Sequence, residues 1–287
     1  MKIIQKYMPK NYVLVVSGDL HLGAVTVNED TIKEMVDYVC STKNCYMTNI
    51  GDNIECIPPR DKRFQFSSTP YQTAKEQADA VIKLLKPLRN KLLAIGNGNH
   101  EHTASQTFNV GEYIAEGLST EFGTVSYKLD MINLGSKKTM HKMYFHHGAG
   151  SITSNAKDDI QADANKKACL KNKLIKTAHS DCVVMGMGHI HQSIIVPPTC
   201  DHKLHLCTTD EGNIKQFYRV QESQNSSYIP PDSRYYFANP SFMKLYDNKN
   251  SNYNSYAENF MYSPSEIGYS KIIVEDGMVV GIECVKL

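Results

Sequence analysis

The sequence predicts an α/β protein with two sheets of mixed strand direction and helices outside them. Three observations carry this. Short apolar runs recur along the first two thirds of the chain, each closed by Gly, Asp, Asn or His; such runs suit strands buried on both faces. Segments of helical apolar spacing separate the early runs, and strand–helix–strand alternation favours parallel pairing. Later the alternation gives way to hairpin patterns, which makes the sheets mixed.

In order along the chain, residues 12–16 (YVLVV) read as the first strand. Ile32, Met35, Val36, Val39 and Cys40 then follow the spacing of a one-sided helix, with Thr31 and Glu34 placed as a capping box. A second strand covers 45–50. A second helix carries Ala74, Ala78, Val81, Ile82 and Leu85 on one face, capped by Thr73 and Glu76 and stopped by Pro87. Leu92–Ile95 is the next strand. SYKLDMINLGSKKTMHKMYF reads as two antiparallel strands around a Gly-Ser turn, and CVVMGM (182–187) as a strand with Met185 and Met187 in the core. KIIVEDGMVVGIECVKL reads as a terminal hairpin turning at Asp276-Gly277. The stretch at about 199–265 is rich in Tyr, Asn, Ser and Pro and weakly periodic. It reads as surface loops with a few packed tyrosines, a substrate-gating insertion being the alternative. Residues 1–287 are therefore expected to form a single domain with a loop-rich elaboration.

Composition narrows the function classes. The chain has 287 residues, 41% apolar, with 31 basic against 30 acidic residues. Near-neutral charge gives no bulk signal for a nucleic-acid partner, though a local basic face stays possible. Lys2, Lys6 and Lys10 interrupt the N-terminal apolar residues, and no run is long enough for a bilayer, so no membrane partner is expected. Eight cysteines lie scattered without a CxxC pair, several in apolar runs, as buried thiols of a reducing compartment do. A cytoplasmic protein is expected.

The strand ends carry the chemistry. After 12–16 come Gly18-Asp19-Leu20-His21; after 45–50, Gly51-Asp52-Asn53; after Leu92–Ile95, the segment GNGNHEHTA with Asn99, His100 and Glu101. His146-His147-Gly148 and Gly188-His189-Ile190-His191 follow the two later runs. One GD or GNH is ordinary turn chemistry. Five in sequence form a pattern, because ligands bind beyond the carboxyl ends of α/β strands. Asp19/His21 and His189/His191 are i, i+2 pairs, which extended backbone points to one side. Glycines 18, 51, 98 and 188 would let the chain turn sharply. Carboxylate, imidazole and amide donors without thiolate suit Mn²⁺, Fe²⁺ or Zn²⁺. There are more of them than one tetrahedral ion needs, which implies two metals.

The ordered blocks DLH, GDNIE, GNHE, HHG and GHIH, spanning about residues 17 to 192, resemble those of the calcineurin-like metallophosphoesterase superfamily. The resemblance implies a β-sandwich of two mixed sheets flanked by helices, in four layers α-β-β-α. It implies that Asp19, His21 and His191 bind one divalent ion, that Asp52 bridges, and that Asn99, His189 and either His146 or His147 bind a second. His147 fits an HG form and His146 an HHP form, with His147 slightly favoured. His100 is expected to protonate the leaving oxygen, with Glu101 helping to hold it. Glu55 is expected in a supporting role. His102, His141, His179, His202 and His205 are expected to be ordinary polar or surface residues. Lysines 166, 167, 171, 173 and 176 are expected to form a solvated helix face.

These features point to a dinuclear metal-dependent phosphoesterase, Mn²⁺ foremost, using metal-activated water without a phospho-enzyme. The sequence GDNIECIPPR lacks the DRG-type continuation of the protein Ser/Thr phosphatase branch, whereas SGDLHLG is closer to repair-nuclease and phage or bacterial phosphodiesterase branches. A phosphodiesterase on DNA or a nucleotide is therefore expected. The alternatives are a phosphomonoesterase on a small metabolite and a non-catalytic interaction scaffold. Oligomeric state is not legible.

Overall fold

The computed structural model describes residues 1–56, 70–104, 108–218, 223–246 and 261–287. Two six-stranded sheets frame it. One runs, in spatial order, β1 (Lys2–Met8), β6 (Ser126–Asn133), β7 (Thr139–His146), β8 (Val184–Met187), β12 (Tyr235–Ala238) and β9 (Ile194–Val196). The other runs β14 (Met278–Lys286), β13 (Gly268–Glu275), β2 (Tyr12–Ser17), β3 (Cys45–Asn49), β4 (Leu92–Ile95) and β5 (Glu121–Phe122). Strands β2 to β5 are parallel, as are β1/β6, β7/β8 and β8/β12; the remaining pairs are antiparallel. A separate ribbon of β10 (Leu204–Thr208) and β11 (Ile214–Tyr218) stands largely exposed.

Period-two alternation explains the layers. Leu14 and Val16 pack toward Leu129, Met143 and Phe145 of the opposite sheet, forming the core between the sheets. Val15, between them in sequence, faces the helices α1 (Glu29–Ser41), α2 (Ala74–Leu85) and α4 (Val110–Leu118) through Ile32, Val81 and Ile114. On the other sheet Phe145 faces inward while Tyr144, Met185 and Met187 pack under α5 (Asp159–Ile175) through Leu170 and Leu174. The order of layers is α-β-β-α, the predicted fold class. A short α3 (Asn99–Ala104) follows β4.

Several elements differ from the sequence reading. The N-cap of α1 is Asn28, whose side chain accepts from the Thr31 N–H; Thr31 is buried and its hydroxyl donates to the Asn28 carbonyl, so the expected Thr31–Glu34 box does not form. The Thr73–Glu76 capping box of α2 does form, a device of about 1 kcal/mol. Strand β1 has no counterpart in the sequence reading: only Ile4 and Met8 face the core, and Lys2 and Lys6 mark it as an edge strand. Residues 235–238, inside the stretch read as loops, are instead a buried strand between β8 and β9. His141 is buried rather than at the surface, between the Tyr12 hydroxyl and the Gly277 carbonyl. No helix among the described residues is long and apolar enough to cross a membrane.

Candidate metal centre

Because β2, β3 and β4 run parallel in one sheet and β7 and β8 in the other, their carboxyl ends share one edge of the molecule. Asp19 and His21 follow β2, Asp52 follows β3, and Asn99 and His100 open α3 after β4. His147 follows β7, and His189 and His191 follow β8. The backbone there is not extended. Asp19, His21, Asp52, His189 and His191 all have φ between 48° and 73°, a left-handed region uncommon for residues other than glycine. The i, i+2 pairs thus converge through left-handed turns, which corrects the extended-strand reading.

The glycines act mostly by leaving space. Only Gly51 of the four has positive φ, at 106°. At Gly98 a Cβ would fall on the Asp52 carboxylate, and at Gly188 it would lie 2.5 Å from Asp19 Oδ2. The Asp52 and Asp19 carboxylates occupy the room where side chains would otherwise stand.

The side chains gather into overlapping groups: Asp19, His21 and His191; His21, Asp52 and His100; Asp52, His147 and His189. His21 Nε2 lies 3.1 Å from His191 Nε2 and 3.8 Å from Asp52 Oδ2, and Asp19 Oδ1 lies 3.3 Å from His191 Nε2. On the other side, His147 Nε2 lies 3.1 Å from both Asp52 Oδ2 and Asn99 Oδ1. His189 Nδ1 lies 2.8 Å from that same Asn99 oxygen. Asp52 is common to both sides.

The outer contacts fix which ring atoms face inward. His21 Nδ1 donates to Glu55 Oε2 at 2.7 Å and His147 Nδ1 to the Ile50 carbonyl at 3.2 Å. In the neutral rings this leaves both Nε2 atoms as lone pairs aimed at other acceptors. Such a convergence calls for positive charge between the rings, supplied by bound metal ions or by protons on Nε2. Asp19 and Asp52, both buried, supply the carboxylates of these groups, and divalent ions would offset their charge. The donor set fits the pair of ions that the resemblance implies.

The electrostatics point the same way. Burial opposes charge on Asp19, yet hydrogen bonds from His191 and His21 hold its carboxyl far below the ordinary range. Burial likewise opposes a charged Asp52, and His147 draws it down. For His147 burial disfavours the cation, but Asp52 pushes the ring up to about 9. His21 is raised in the same manner by Asp19 and Glu55, whereas burial and the His147 charge lower His189. Positive charge is stabilised between the carboxylates.

The structure separates the two alternatives at residues 146 and 147 and corrects the role expected of Glu101. His146 stands apart from these groups: its Nδ1 accepts the Gly148 N–H at 2.7 Å, leaving His147 as the member of the pair within the cluster. Glu101 does not hold the His100 ring. Its carboxylate accepts from the backbone N–H groups of Gly98, Asp52, Asn53 and Ile54, tying the GDN and GNH turns together. The His100 ring is held instead by Glu55, whose carbonyl accepts from Nδ1 and whose carboxylate is 3.7 Å away. Burial, then the charge of Asp52, raise the Glu101 pKa.

The cluster opens into a cleft of about 660 Å³, shared by His100, Ile152, Lys166, Gln192, Met243 and Tyr262. Sequence reasoning missed this outer wall and the segment behind it. Ser241 Oγ and the Phe242 N–H both donate to the Asp19 carbonyl at 3.0 Å, bracing the left-handed turn. The signal was present: YYFA followed by Asn239-Pro240-Ser241 is one more apolar run closed by polar turn residues. The lysines of α5 are not a uniform solvated face either. Lys167 pairs with Asp163 within the helix, but Lys166 reaches Gln192 and Lys173 donates to the Ala149 carbonyl. Of GDNIECIPPR, residues 57–60 lie outside the described residues.

No family model matches the chain, and no curated protein matches it in sequence. The chain is similar to several solved structures. Vacuolar Protein Sorting 29 from Cryptosporidium parvum is 11% identical over 96% of this chain and 98% of its own, with a TM-score of 0.39. A metallophosphoesterase from Sphaerobacter thermophilus is 11% identical over 95% of this chain and 88% of its own, at 0.37. The calcineurin-like phosphoesterase YfkN from Bacillus subtilis is 12% identical over 96% of this chain and 90% of its own, at 0.35. In its five strand-end motifs and in the two mixed sheets that bring them together, this chain is similar to the calcineurin-like metallophosphoesterases.

Proposed function

We propose that this protein is a dinuclear metal-dependent phosphoesterase, and that it cleaves phosphodiesters of nucleotides or DNA. The observation that supports this is the pair of lone-pair pockets sharing Asp52, each with its ring atoms fixed by partners outside the cluster. Asp19, His21 and His191 would hold one divalent ion, Asn99, His147 and His189 the other, with Asp52 between them. When bound, such ions neutralise phosphate oxygens and make water a better nucleophile.

The chain's own groups do the rest. The Asp52 carboxylate sets the spacing of the two pockets, with Oδ1 accepting from the His100 N–H at 3.0 Å. His100 lies at the cleft side of the cluster, its ring edge-on to His21 with centroids 4.7 Å apart. Its Nδ1–H is engaged by the Glu55 carbonyl, so a second proton, carried on Nε2 of the imidazolium form, is the one to pass to the departing oxygen. Ile152 and Met243, both buried, give the cleft an apolar wall suited to an organic leaving group.

The discriminating experiment is a panel of assays with added Mn²⁺. It sets bis(p-nitrophenyl) phosphate against p-nitrophenyl phosphate, cyclic nucleotides, and single- and double-stranded DNA. Faster turnover of diesters supports this reading. Preference for the monoester would make the protein a phosphomonoesterase, and no turnover of any ester by metal-loaded protein would leave only a scaffold.

A further inference from the structure

Lys166, midway along α5, lines the cleft beside the metal cluster, and its Nζ lies 3.1 Å from Oε1 of Gln192, the residue after His191. A lysine ammonium can only donate, so this contact turns the Gln192 amide oxygen toward Lys166 and leaves Nε2 as a donor. Gln192 satisfies one of three ammonium hydrogens. Among the described residues no carboxylate comes within ion-pair distance of Lys166, whereas its neighbour Lys167 has Asp163 at 2.7 Å. Half-burying an ammonium without a counter-ion is unfavourable. Here it stands beside a second donor in the wall of a substrate-sized cleft.

We infer that Lys166 and Gln192 bind a second phosphate of the substrate, one that is not cleaved. This rests on the phosphoesterase reading above and narrows it to substrates with a phosphate close to the scissile one. Lys166 is the sole Lys or Arg among the described residues lining the cleft. A long duplex needs several such contacts, so the pair suits a compact ligand. The second phosphate can be the terminal group of a free nucleotide or the next internucleotide phosphate of a short oligonucleotide.

Calorimetric titration of the Mn²⁺-loaded full chain tests this with thymidine 5′-monophosphate, thymidine 3′,5′-bisphosphate and the dinucleotide pTpT. The wild type should bind at least one of the two-phosphate ligands about tenfold more tightly than the monophosphate, the worth of one charge-assisted contact. Lys166→Gln should bring that ratio near one, Gln192→Leu should reduce it, and Lys166→Arg should keep it. Preference for the bisphosphate assigns a terminal phosphate, and preference for pTpT an internal one. Monophosphate binding with the same ratios in wild type and Lys166→Gln would overturn the inference alone. Failure of the wild type to bind any of the three while it still turns over phosphodiesters would also overturn the inference, and failure of both binding and turnover would overturn the phosphoesterase reading beneath it.

Discussion

His100 and His102 stand two residues apart in GNGNHEHTA, yet the structure gives them different surroundings. His100 has its Nδ1 held by Glu55 and its ring against His21; His102 is exposed. Replacing His100 by Ala should keep both metals and lower the rate on a nucleotide ester by roughly 10²–10⁴-fold, the range for a general acid. The loss should be much smaller on a nitrophenyl ester, whose leaving group needs no proton. His102→Ala should change either rate far less. Single-turnover kinetics with metal analysis checks this: equal losses on both esters would make His100 a phosphate-positioning residue, and loss of an ion would make it a ligand. At this scale the sequence was informative about identity but not partners. Residue types and order pointed to Asp19, Asp52, Asn99 and the paired histidines. His147 was only slightly favoured over His146, because the strand register decides which ring enters the cluster. The link from Glu101 to His100 failed for a similar reason. The carboxylate was claimed by four backbone N–H groups from two turns distant in sequence.

Among the elements, those with strong local signals matched their sequence reading. The α2 capping box and the Asp276-Gly277 turn, with φ of 49° and 82°, are set by short-range chemistry. Strands β1 and β12 were illegible for opposite reasons. β1 is an edge strand whose apolar Ile3 and Tyr7 face solvent, whereas β12 is only four residues long and flanked by polar turns. The glycine at the end of β4 provides a test at this level. Gly98→Ala would put a methyl on the Asp52 carboxylate, whereas at Gly281 nothing lies within 4 Å of an added Cβ. Gly98→Ala should therefore displace the shared ligand, lowering metal affinity and cutting turnover at least about tenfold, at a stability cost on the order of 1–3 kcal/mol. Gly281→Ala should match the wild type in both. Equal metal content in the two variants would show that the carboxylate has room to move.

For the molecule as a whole, the layer order was legible only through the resemblance carried by the five strand-end blocks, because apolar runs buried on both faces do not reveal which residues face which of the two cores. One consequence of that packing lies far from the strand-end cluster, at His141. Burial holds its ring neutral, lowering the pKa from 6.5 to about 4. Between those values the unfolded chain takes up a proton that the folded chain refuses. Stability is therefore full above pH 6.5 and falls as pH drops toward 4, by about 2 kcal/mol at pH 5 and about 3 kcal/mol at the limit. Denaturant unfolding of metal-free wild type and His141→Gln at pH 7.5 and pH 5 should show a weaker pH dependence in the variant, and identical dependence would refute the assignment. Elemental analysis paired with turnover on the same samples tests the proposed dinuclear centre. The wild type should carry two divalent ions per chain, lose turnover on chelation and regain it with Mn²⁺, while Asp52→Asn should lose metal and activity together. Full turnover in chelated protein verified free of metal, or two ions and a normal rate in Asp52→Asn, would contradict it.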